Sequence, residues 1–405
     1  MEYDVQAIRQ HFPSLNSGIA FFDGPGGSQV PDVVGQAMNE AITMAISNRG
    51  TVTESERTAD GYVLEFRTAV SDLIGCDPKG VVYGRSWTQL TYDFSRNLAK
   101  TWKPGDEVVV SRLDHDSNIR PWIQAAESVG AIIKWAEFDL ATGELPTSAV
   151  KDVLSSRTRL VAVTGASNTL GTRPNLREIA EAVHSSKALL YIDGVHLTPH
   201  APIDMKEIGA DFFGFSAYKL MGPHCAAIAA DPALLETIPN DKLLPSTTDV
   251  PERFEFGTLP YEIMAGVTAA IDFMADLVPS VAPTRRERIL TAMKVLEDYE
   301  SELLEYMEDL LFGIPGLKSY GHAKMRSPTL YFEIAGIQCI DIYRHLAARK
   351  INAPSSNFYA LETSRALGLG DSGAVRVGLA PYSTIEDVDR LITALKELDF
   401  ASSSR

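Results

Sequence analysis

The sequence predicts an α/β fold, with a large domain built on a mostly parallel sheet and a small C-terminal α+β domain. Two observations support this prediction: short apolar runs alternate with helical stretches up to about residue 216, and the pattern becomes almost wholly helical after about residue 260. Strands that alternate with helices are typical of β-α-β units, whose helices cover both faces of a parallel sheet. A chain of 405 residues is also long enough for two or three domains.

The predicted elements of the large domain come in a regular order. After a short helix and connection at 1–17, a strand enters a Gly/Pro turn at 18–31, and a helix covers about 32–47. The polar stretch 48–60 is expected to be a loop. The helices predicted beyond it are 62–75, 88–100, 118–129 and 174–185, and the strands that alternate with them are 80–84, 107–111, 131–138, 159–165, 188–193 and 212–216.

The C-terminal part of the chain has a different pattern. Segment 261–311 is almost wholly helical, first apolar and then amphipathic, and an α+β pattern follows it. The last residues, ASSSR, are expected to fray. The predicted C-terminal strands are 329–336 and 375–380, and the helices are 339–350 and 384–400. The expected parts are an N-terminal segment (1–17) packed on the small domain, a large domain (18–260), a connecting helix (261–284) and a small domain (285–405).

Composition and charge argue against several classes of protein. The formal net charge of −16 disfavours nucleic-acid and anionic-membrane partners, because both bind a basic face. The three cysteines, Cys76, Cys225 and Cys339, are odd in number and widely spaced, which disfavours a disulfide framework or a zinc site. The N-terminus lacks a signal-peptide pattern, and no run approaches 18 apolar residues. We therefore expect a cytoplasmic protein without a metal, nucleic-acid or membrane partner.

Lys219 and Asp193 are the first candidates for chemistry. Lys219 follows a short apolar strand and precedes Gly222, and a lysine held near buried strands can lose its proton and attack a carbonyl. Asp193 ends the apolar run ALLYID, at the edge of a parallel sheet where ligands bind. Most lysines are surface residues and many such aspartates only cap a turn, so the pair carries more weight than either residue. A pyridoxal cofactor needs this pair, an amine for its aldehyde and a carboxylate for its ring nitrogen.

Two weaker signals lie upstream. His115 follows the strand EVVVS and is either a polar loop residue or an imidazole on the face of a cofactor ring. In the turn YGRSWTQLT, a helix begins near Ser86 and Thr88, and its free N–H groups could bind a phosphate. Simple N-capping by Ser86 or Thr88 explains the same residues.

Seven motifs occur in the order found in one known family. They are AFFDGPGGSQVP, SRLDHDSNIRPW, VTGASNTLGT, YIDGVH, FSAYKLMGP, RFEFGT and VRVGLAPYST. On these motifs the stretch from about 20 to 400 resembles the class V aminotransferase group of fold-type I pyridoxal-phosphate enzymes. It is most similar to the cysteine desulfurases, in particular to the cysteine desulfurase-like proteins. The resemblance implies a large domain with a mostly parallel seven-stranded sheet and a small α+β domain.

The resemblance also implies a role for each matching residue. Lys219 would hold pyridoxal 5′-phosphate as a Schiff base, Asp193 would pair with the pyridine nitrogen, and His115 would stack on the ring. Arg376 would bind the substrate carboxylate with a two-pronged contact. Thr258 would reach the phosphate of the neighbouring subunit, which implies a homodimer with shared active sites. The other implied cofactor ligands are Asn168, which could also contact the substrate, Ser216, and the turn residues Ser86, Trp87 and Thr88.

The sequence departs from the desulfurase pattern at three positions. His196 replaces the usual glutamine and Tyr218 replaces the usual histidine, but both can still donate hydrogen bonds to the cofactor. The desulfurases attack sulfur with a loop cysteine, and the corresponding stretch 352–370 has none; Tyr359 aligns near that position. Cys225 and Cys339 lie elsewhere and have the character of small buried residues. Persulfide transfer by the usual route is therefore in doubt.

Three functions remain open at this stage. The favoured one is desulfuration or C–S β-elimination at Cβ of L-cysteine or a cysteine-derived amino acid, with or without a sulfur-acceptor protein as partner. The second is an aminotransferase that uses a small amino donor. The third is a cofactor-bound structural or regulatory protein, against which the intact Lys219, Asp193 and His115 argue.

Overall fold

The computed structural model describes residues 3–398, so the ASSSR tail that was expected to fray lies outside the described residues. The strands are β1 (Ala20–Phe21), β2 (Val81–Gly84), β3 (Glu107–Ser111), β4 (Ile132–Ala136), β5 (Thr158–Thr164), β6 (Leu189–Asp193), β7 (Phe212–Ser216), β8 (Ala226–Ala230), β9 (Leu317–Tyr320), β10 (Thr329–Ile334), β11 (Ile351–Asn352), β12 (Ser355–Ser356) and β13 (Ala374–Gly378). The helices are α1 (Val5–Arg9), α2 (Asp32–Thr43), α3 (Glu54–Ile74), α4 (Trp87–Ala99), α5 (Arg120–Val129), α6 (Thr147–Lys151), α7 (Leu176–Ser185), α8 (Met205–Ile208), α9 (Pro232–Thr237), α10 (Tyr261–Ala275), α11 (Arg285–Phe312), α12 (Cys339–Ala347), α13 (Leu361–Ala366) and α14 (Ile385–Lys396).

A seven-stranded sheet with the order β2-β8-β7-β6-β5-β3-β4 organises the first part of the chain. Strand β8 runs antiparallel to both of its neighbours, and the other pairings are parallel. The predicted mostly parallel seven-stranded sheet is confirmed. The carboxyl ends of β5, β6 and β7 lie side by side at one edge, where Asp193 pairs in register with Thr164 on one side and Gly214 on the other.

Both faces of this sheet are buried because side chains alternate along each strand. In β3, Val109 contributes to one hydrophobic cluster and Val108 and Val110 contribute to the other. In β6, Ile192 lies in the first cluster and Tyr191 in the second. The sheet is therefore covered by helices on both sides, as continuous apolar strands predict.

A second, antiparallel sheet with the order β12-β13-β10-β9 lies in the C-terminal part, and a third hydrophobic cluster packs on it. The N-terminal segment reaches this part of the chain: the Tyr3 hydroxyl donates to the carbonyl of Pro381 at 2.7 Å, and Arg9 pairs with Asp387 at 2.9 Å. The division into parts at 17, 260 and 284 stays a prediction. Among residues 3–398, no helix is both long and apolar enough to span a membrane.

The prediction of a loop over 48–60 is wrong in its second half, because α3 begins at Glu54. Thr53 and Glu56 form a capping box, in which the Thr53 hydroxyl accepts from the Glu56 N–H and the Glu56 carboxylate accepts from the Thr53 N–H. The first turns of α3 face solvent, and their polar residues therefore gave the pattern of a loop. The helix ends at Gly75, whose φ of 71° suits glycine.

Several short elements, α6, α8, α9, α13, β11 and β12, were not predicted, and three larger differences have a clear physical reason. The helical segment 261–311 is two helices, interrupted at 276–284, where prolines at 279 and 283 prevent continuation. Strand β8 was not predicted because its sequence, AAIAA, has little β propensity and only its place in the sheet makes it a strand. Strand β9 was missed because its side chains are largely polar and half-exposed.

Candidate active site

Asp193 and Lys219 lie together at the edge formed by β6 and β7. Asp193 is the last residue of β6, and Lys219 ends a short 3-10 turn that follows β7 directly. Both are buried, with 4% and 8% of their surface exposed. Lys219 lines two adjoining cavities of about 640 and 80 Å³, and Asp193 lines the smaller one. The structure thus brings the predicted pair to one site at the carboxyl ends of parallel strands.

The environment of Lys219 makes its amine easier to deprotonate than that of an exposed lysine. Burial lowers its pKa to about 8, the nearby Arg376 cation acts in the same direction, and the Asp193 carboxylate partly opposes both. A lysine with a pKa near 8 is unprotonated in roughly a tenth of molecules at pH 7, whereas an exposed lysine is almost never unprotonated there. Lys219 can therefore act as a nucleophile towards an aldehyde.

The Asp193 carboxylate is fixed by two donors. Its Oδ1 accepts from the Val195 N–H at 3.0 Å, and its Oδ2 accepts from the Trp87 indole N–H at 2.8 Å. Burial raises its pKa to about 6, while the Val195 hydrogen bond, the Lys219 cation and the Trp87 hydrogen bond act to lower it. A glycine at 214 makes this arrangement possible, because a Cβ there would lie 1.9 Å from the Trp87 ring. The Trp87 side chain, expected in the phosphate turn, thus contacts the carboxylate instead.

His115 is a neutral imidazole in this site. Its Nδ1 accepts from the Ser117 N–H at 3.1 Å and lies 2.7 Å from the Ser117 hydroxyl. Burial, together with the nearby cations of Lys219 and Arg376, lowers its pKa to about 3. Its ring stacks on Tyr359, with centroids 5.5 Å apart. A neutral ring that lines both cavities can lie against a flat ligand without an added charge.

Arg376 lies in β13 and is almost fully buried at the wall of the larger cavity. Its Nη1 donates to the carbonyl of Asn168 at 2.9 Å, and its guanidinium lies 3.7 Å from the centre of the Phe358 ring. Burial lowers its pKa to about 9. Its Nε has no hydrogen-bond partner among the described residues, so this edge can bind an anionic group.

The predicted phosphate turn lies beside the smaller cavity. Ser86 caps α4, and its hydroxyl accepts from the Gln89 N–H at 3.1 Å, so the capping role considered from the sequence is present. Ser86, Thr88 and Ser216 line this cavity at the N-terminus of a 13-residue helix. A helix N-terminus with hydroxyl groups beside it favours a phosphate.

Two buried polar atoms beside the smaller cavity lack a partner among the described residues: Oδ1 of Asn168 and Nδ1 of His196. The other polar atoms of these side chains are occupied, since Asn168 donates to the carbonyl of Phe358 at 2.9 Å and Nε2 of His196 lies 2.9 Å from the Thr329 hydroxyl. Burial and nearby cations hold the pKa of His196 well below its ordinary value. Unpaired buried polar atoms cost free energy, so their presence indicates a polar ligand in this cavity.

The remaining predicted residues divide into two groups. Tyr218 lines both cavities, and its ring lies parallel to that of His224 at 5.1 Å. Thr258 does not line either of them; it is exposed beside a separate cavity of about 500 Å³ that it shares with Ser86 and Phe256.

None of the cysteines provides a reactive thiolate. Burial raises the pKa of Cys76 and of Cys225 to about 12, and it also raises the pKa of Cys339. None of the three lines the larger or the smaller cavity. These thiols stay protonated at neutral pH, which matches their expected role as small packing residues.

Sequence reasoning missed Phe358, which lines the larger cavity, and Asp114, the chain neighbour of His115, which lines neither cavity. Asp114 is fully buried, accepts from the Asn118 amide at 2.6 Å and pairs with the Ser111 hydroxyl, and burial raises its pKa to about 8. Its place beside His115 in the motif SRLDHDSN was a usable signal. Phe358 gave no signal, because nothing in a loop sequence indicates that its ring would lie on Arg376.

The chain matches known proteins over nearly its whole length. The family model described as aminotransferase class-V matches residues 20–391. An uncharacterized protein of Mycobacterium tuberculosis is 34% identical over 98% of this chain and 100% of its own length. An aminotransferase-like protein of Gibberella zeae is 30% identical over 97% of this chain and 98% of its own. A probable cysteine desulfurase of Mycolicibacterium paratuberculosis is 32% identical over 98% of this chain and 58% of its own.

Solved structures share the fold. A cysteine desulfurase of Escherichia coli superposes with a TM-score of 0.85 at 24% identity, and one of Thermococcus onnurineus with 0.87 at 23%, each over 98% of both chains. A mutant of C-DES with glycine covalently linked to its PLP cofactor gives 0.81 at 17% identity, over 96% of this chain and 99% of its own. The resemblance seen in the seven sequence motifs is therefore confirmed, and the chain belongs to the class-V aminotransferase family.

Proposed function

We propose that this chain is a pyridoxal-phosphate enzyme that cleaves the C–S bond of L-cysteine or of a cysteine-derived amino acid. The observation that carries this proposal is the pairing of Lys219, with its lowered pKa, and Asp193 at one cavity. The names of the relatives and structural neighbours, which include cysteine desulfurases, support the choice of substrate. The covalently linked PLP in C-DES supports the choice of cofactor.

The residues present fit this cofactor. The Lys219 amine would hold its aldehyde, and the Asp193 carboxylate would pair with its ring nitrogen. The unpaired atoms of Asn168 and His196 suit its phenolic oxygen, and His115 would lie against its ring. The phosphate ligands would be Ser86, Thr88 and Ser216, the Trp87 backbone at the start of α4, and Tyr218 beside them. When bound, pyridoxal phosphate supplies an electron sink that weakens the bonds at the α-carbon of the substrate.

The chain's own residues supply binding and proton transfer. The free edge of Arg376 would bind the substrate carboxylate and orient the Cα–H bond. Lys219, once displaced by the substrate amine, would take the α-proton, because its pKa near 8 suits a general base at neutral pH. Lys219, Asp193 and Arg376 are themselves buried, which strengthens the interactions between their charges.

Elimination of the sulfur group is the preferred form of C–S cleavage. Desulfuration by attack of a protein thiolate needs a reactive cysteine in the site, and Tyr359 lies at the mouth of the larger cavity instead. In elimination, the Cβ–S electron pair leaves with sulfur, which is protonated, and water hydrolyses the remaining three-carbon enamine to pyruvate, with its amino group released as ammonium. A sulfur-acceptor protein is a partner only if desulfuration occurs.

The second candidate is an aminotransferase of a small amino acid, which the name of the Gibberella zeae relative supports. The two functions differ in what a single amino acid does to the cofactor. An amino acid added alone builds up the pyridoxamine form only in an aminotransferase. Absorbance spectra recorded after such an addition therefore separate the two.

We also propose a homodimer with shared active sites in the cytoplasm. Thr258 lies outside its own cofactor cavity but close to Ser86, so a second copy could bring its Thr258 to the phosphate. Sedimentation of the purified protein at two concentrations tests the dimer.

The main experiment incubates the cofactor-loaded protein with L-cysteine, cysteine sulfinate, selenocysteine and cysteine S-conjugates. Sulfide, pyruvate and alanine are followed together. Pyruvate formed in step with the released sulfur group is the expected result. Alanine with sulfur release would support desulfuration instead, and no product from any of the four would contradict the proposal.

A further inference from the structure

Two consecutive residues at the mouth of the larger cavity have an unusual backbone. Phe358 and Tyr359 have φ values of 50° and 59°, in the left-handed region that large side chains rarely adopt. Both line the cavity. Such conformations persist only where the surroundings hold them, and they are concentrated at ligand-binding positions.

The carbonyl groups of both residues are held by partners in the site. The Asn168 amide donates to the Phe358 carbonyl at 2.9 Å, and the Asp116 N–H donates to the Tyr359 carbonyl at 2.7 Å. Side chains just before them complete the turn: the Ser356 hydroxyl accepts from the Phe358 N–H at 3.2 Å, and the Asn357 amide oxygen accepts from the Tyr359 N–H at 2.9 Å.

A group of ion pairs holds the chain immediately after this turn. The Glu362 carboxylate accepts from Arg112 and from Arg120, each at 2.9 Å. The Thr363 hydroxyl donates to the carbonyl of Arg112 at 2.7 Å. Residues 357–363, here called the 357–363 segment, are therefore fixed at both ends, and the two aromatic rings have defined positions.

The rings form one side of a large cavity that several aromatic side chains line. Phe358 lies on Arg376, the proposed carboxylate ligand, and Tyr359 stacks on His115 while 72% of its own surface stays exposed. Tyr92 and Tyr218 also line this cavity. Its volume of about 640 Å³ lies within the range of ligand pockets, ~300–1,000 Å³, and has to hold part of the proposed cofactor as well as the substrate, because Lys219 and His115 line it.

We infer that Phe358 and Tyr359 form a fixed aromatic wall that selects cysteine S-conjugates with an aromatic or bulky alkyl group on sulfur over free L-cysteine. The inference rests on the proposed function and specifies its substrate class. An aromatic S-substituent would pack on Tyr359, since aromatic pairs attract beyond the surface that they bury. Elimination would release this group as a thiol, with pyruvate and ammonium as the other products.

The test compares S-benzyl-L-cysteine with L-cysteine as substrates of the cofactor-loaded protein. We expect kcat/KM to be at least tenfold higher for the S-benzyl compound. Tyr359→Ala should lower this preference at least fivefold, mainly by raising KM for S-benzyl-L-cysteine, whereas Tyr359→Phe should preserve it. Tyr306→Ala, a change at a tyrosine outside the cavity whose hydroxyl donates to Asp389, is the matched control and should change neither value.

A binding measurement shows whether Tyr359 contacts the substrate directly or changes turnover in an indirect way. In a Lys219→Ala background, absorbance titration gives the dissociation constant of S-benzyl-L-cysteine, and Tyr359→Ala should raise it about fivefold. Equal kcat/KM values for the two substrates, or a preference that survives in Tyr359→Ala, would overturn the inference. If the protein turns over L-cysteine but no conjugate, only this inference fails; if it takes up no pyridoxal phosphate, the proposed function fails as well.

Discussion

Two regions of the molecule meet at one cavity: the sheet edge formed by β6 and β7, and the 357–363 segment. Different kinds of contact hold them in place. Asp193 and Lys219 end or directly follow strands that are paired in register within a buried sheet. Phe358 and Tyr359 belong to a loop that depends on distant partners, such as Asn168, 190 positions away in the chain. The sheet edge would therefore hold the proposed reactive pair on a rigid base, and the loop shapes the space above it. Changes at the edge should abolish activity, whereas changes in the segment should alter selectivity.

The largest effect is expected for Lys219→Ala. Removal of the proposed nucleophile and base should lower kcat on the order of 10³-fold or more, because both roles depend on one amine. The fold should survive, since alanine fits the space of a buried lysine. Steady-state rates and far-UV circular dichroism check the two statements. Lys294→Ala, at an exposed lysine, serves as the control. Full activity in Lys219→Ala would contradict the claim that the sheet edge is needed for activity.

The second largest effect is expected in how the rate of covalent cofactor binding depends on pH. Only the neutral Lys219 amine attacks an aldehyde, and its pKa is about 8. The rate at which the cofactor-free protein binds pyridoxal phosphate covalently should therefore rise with pH, roughly tenfold between pH 7 and pH 9. Stopped-flow absorbance measures this rate. A rate that rises about a hundredfold between pH 7 and pH 9, and levels off only above about pH 10.5, would indicate an ordinary exposed lysine.

Trp87→Phe should have a moderate effect at the sheet edge. The indole N–H stabilises the ionised form of Asp193, so its loss should raise the pKa of that carboxyl above about 6. Cofactor affinity should fall about tenfold, the scale of a hydrogen bond to a charged group. When the pH is lowered, the cofactor affinity of Trp87→Phe should also begin to fall at a higher pH than that of the unchanged protein. Fluorescence titrations from pH 5 to 8 measure both quantities, and Trp135→Phe, outside the cavities, is the control; an unchanged pH midpoint would contradict the assigned role.

The smallest effect is expected for Glu362→Gln in the 357–363 segment. The two arginine partners of Glu362 have side chains that are 30% and 33% exposed, so solvent screens the pairs. The free energy of unfolding should fall by about 0.5–1 kcal/mol. Urea denaturation measures the change, and Glu397→Gln, in an exposed pair with Arg349, is the reference. A larger loss of stability than about 2 kcal/mol would mean that the segment supports the fold and not only the cavity wall.

The sheet edge was predictable because local patterns determine it. Apolar runs gave the strands, and the residues after them, Asp193 and Lys219, fell at one edge by the rule for parallel strands. The role of Trp87 was not predictable in this way, because its indole reaches Asp193 only where the glycine at 214 leaves room. Strand β8 was missed for a similar reason, since its alanines become a strand only between β2 and β7.

The conformation of the 357–363 segment could not be predicted from a local sequence pattern. A conformation with positive φ at Phe358 contradicts the preference of that residue type, so no local rule predicts it. Ser356 and Asn357 stabilise it locally, but the other contacts come from Asn168, Asp116 and the arginines that pair with Glu362, all far away in the chain. Only the folded structure shows them together. Loop positions that depend on such contacts are also where selectivity between substrates can change without loss of the fold.

Reduction with borohydride tests the central claim most directly. The purified protein, incubated with pyridoxal phosphate and then with borohydride, is digested, and its peptides are analysed by mass spectrometry. We expect one stable cofactor adduct, on Lys219, and its absence from Asp193→Ala at low cofactor concentration. An adduct on another lysine, or no adduct at saturating cofactor, would contradict the assignment of this amine and carboxylate as the reactive pair.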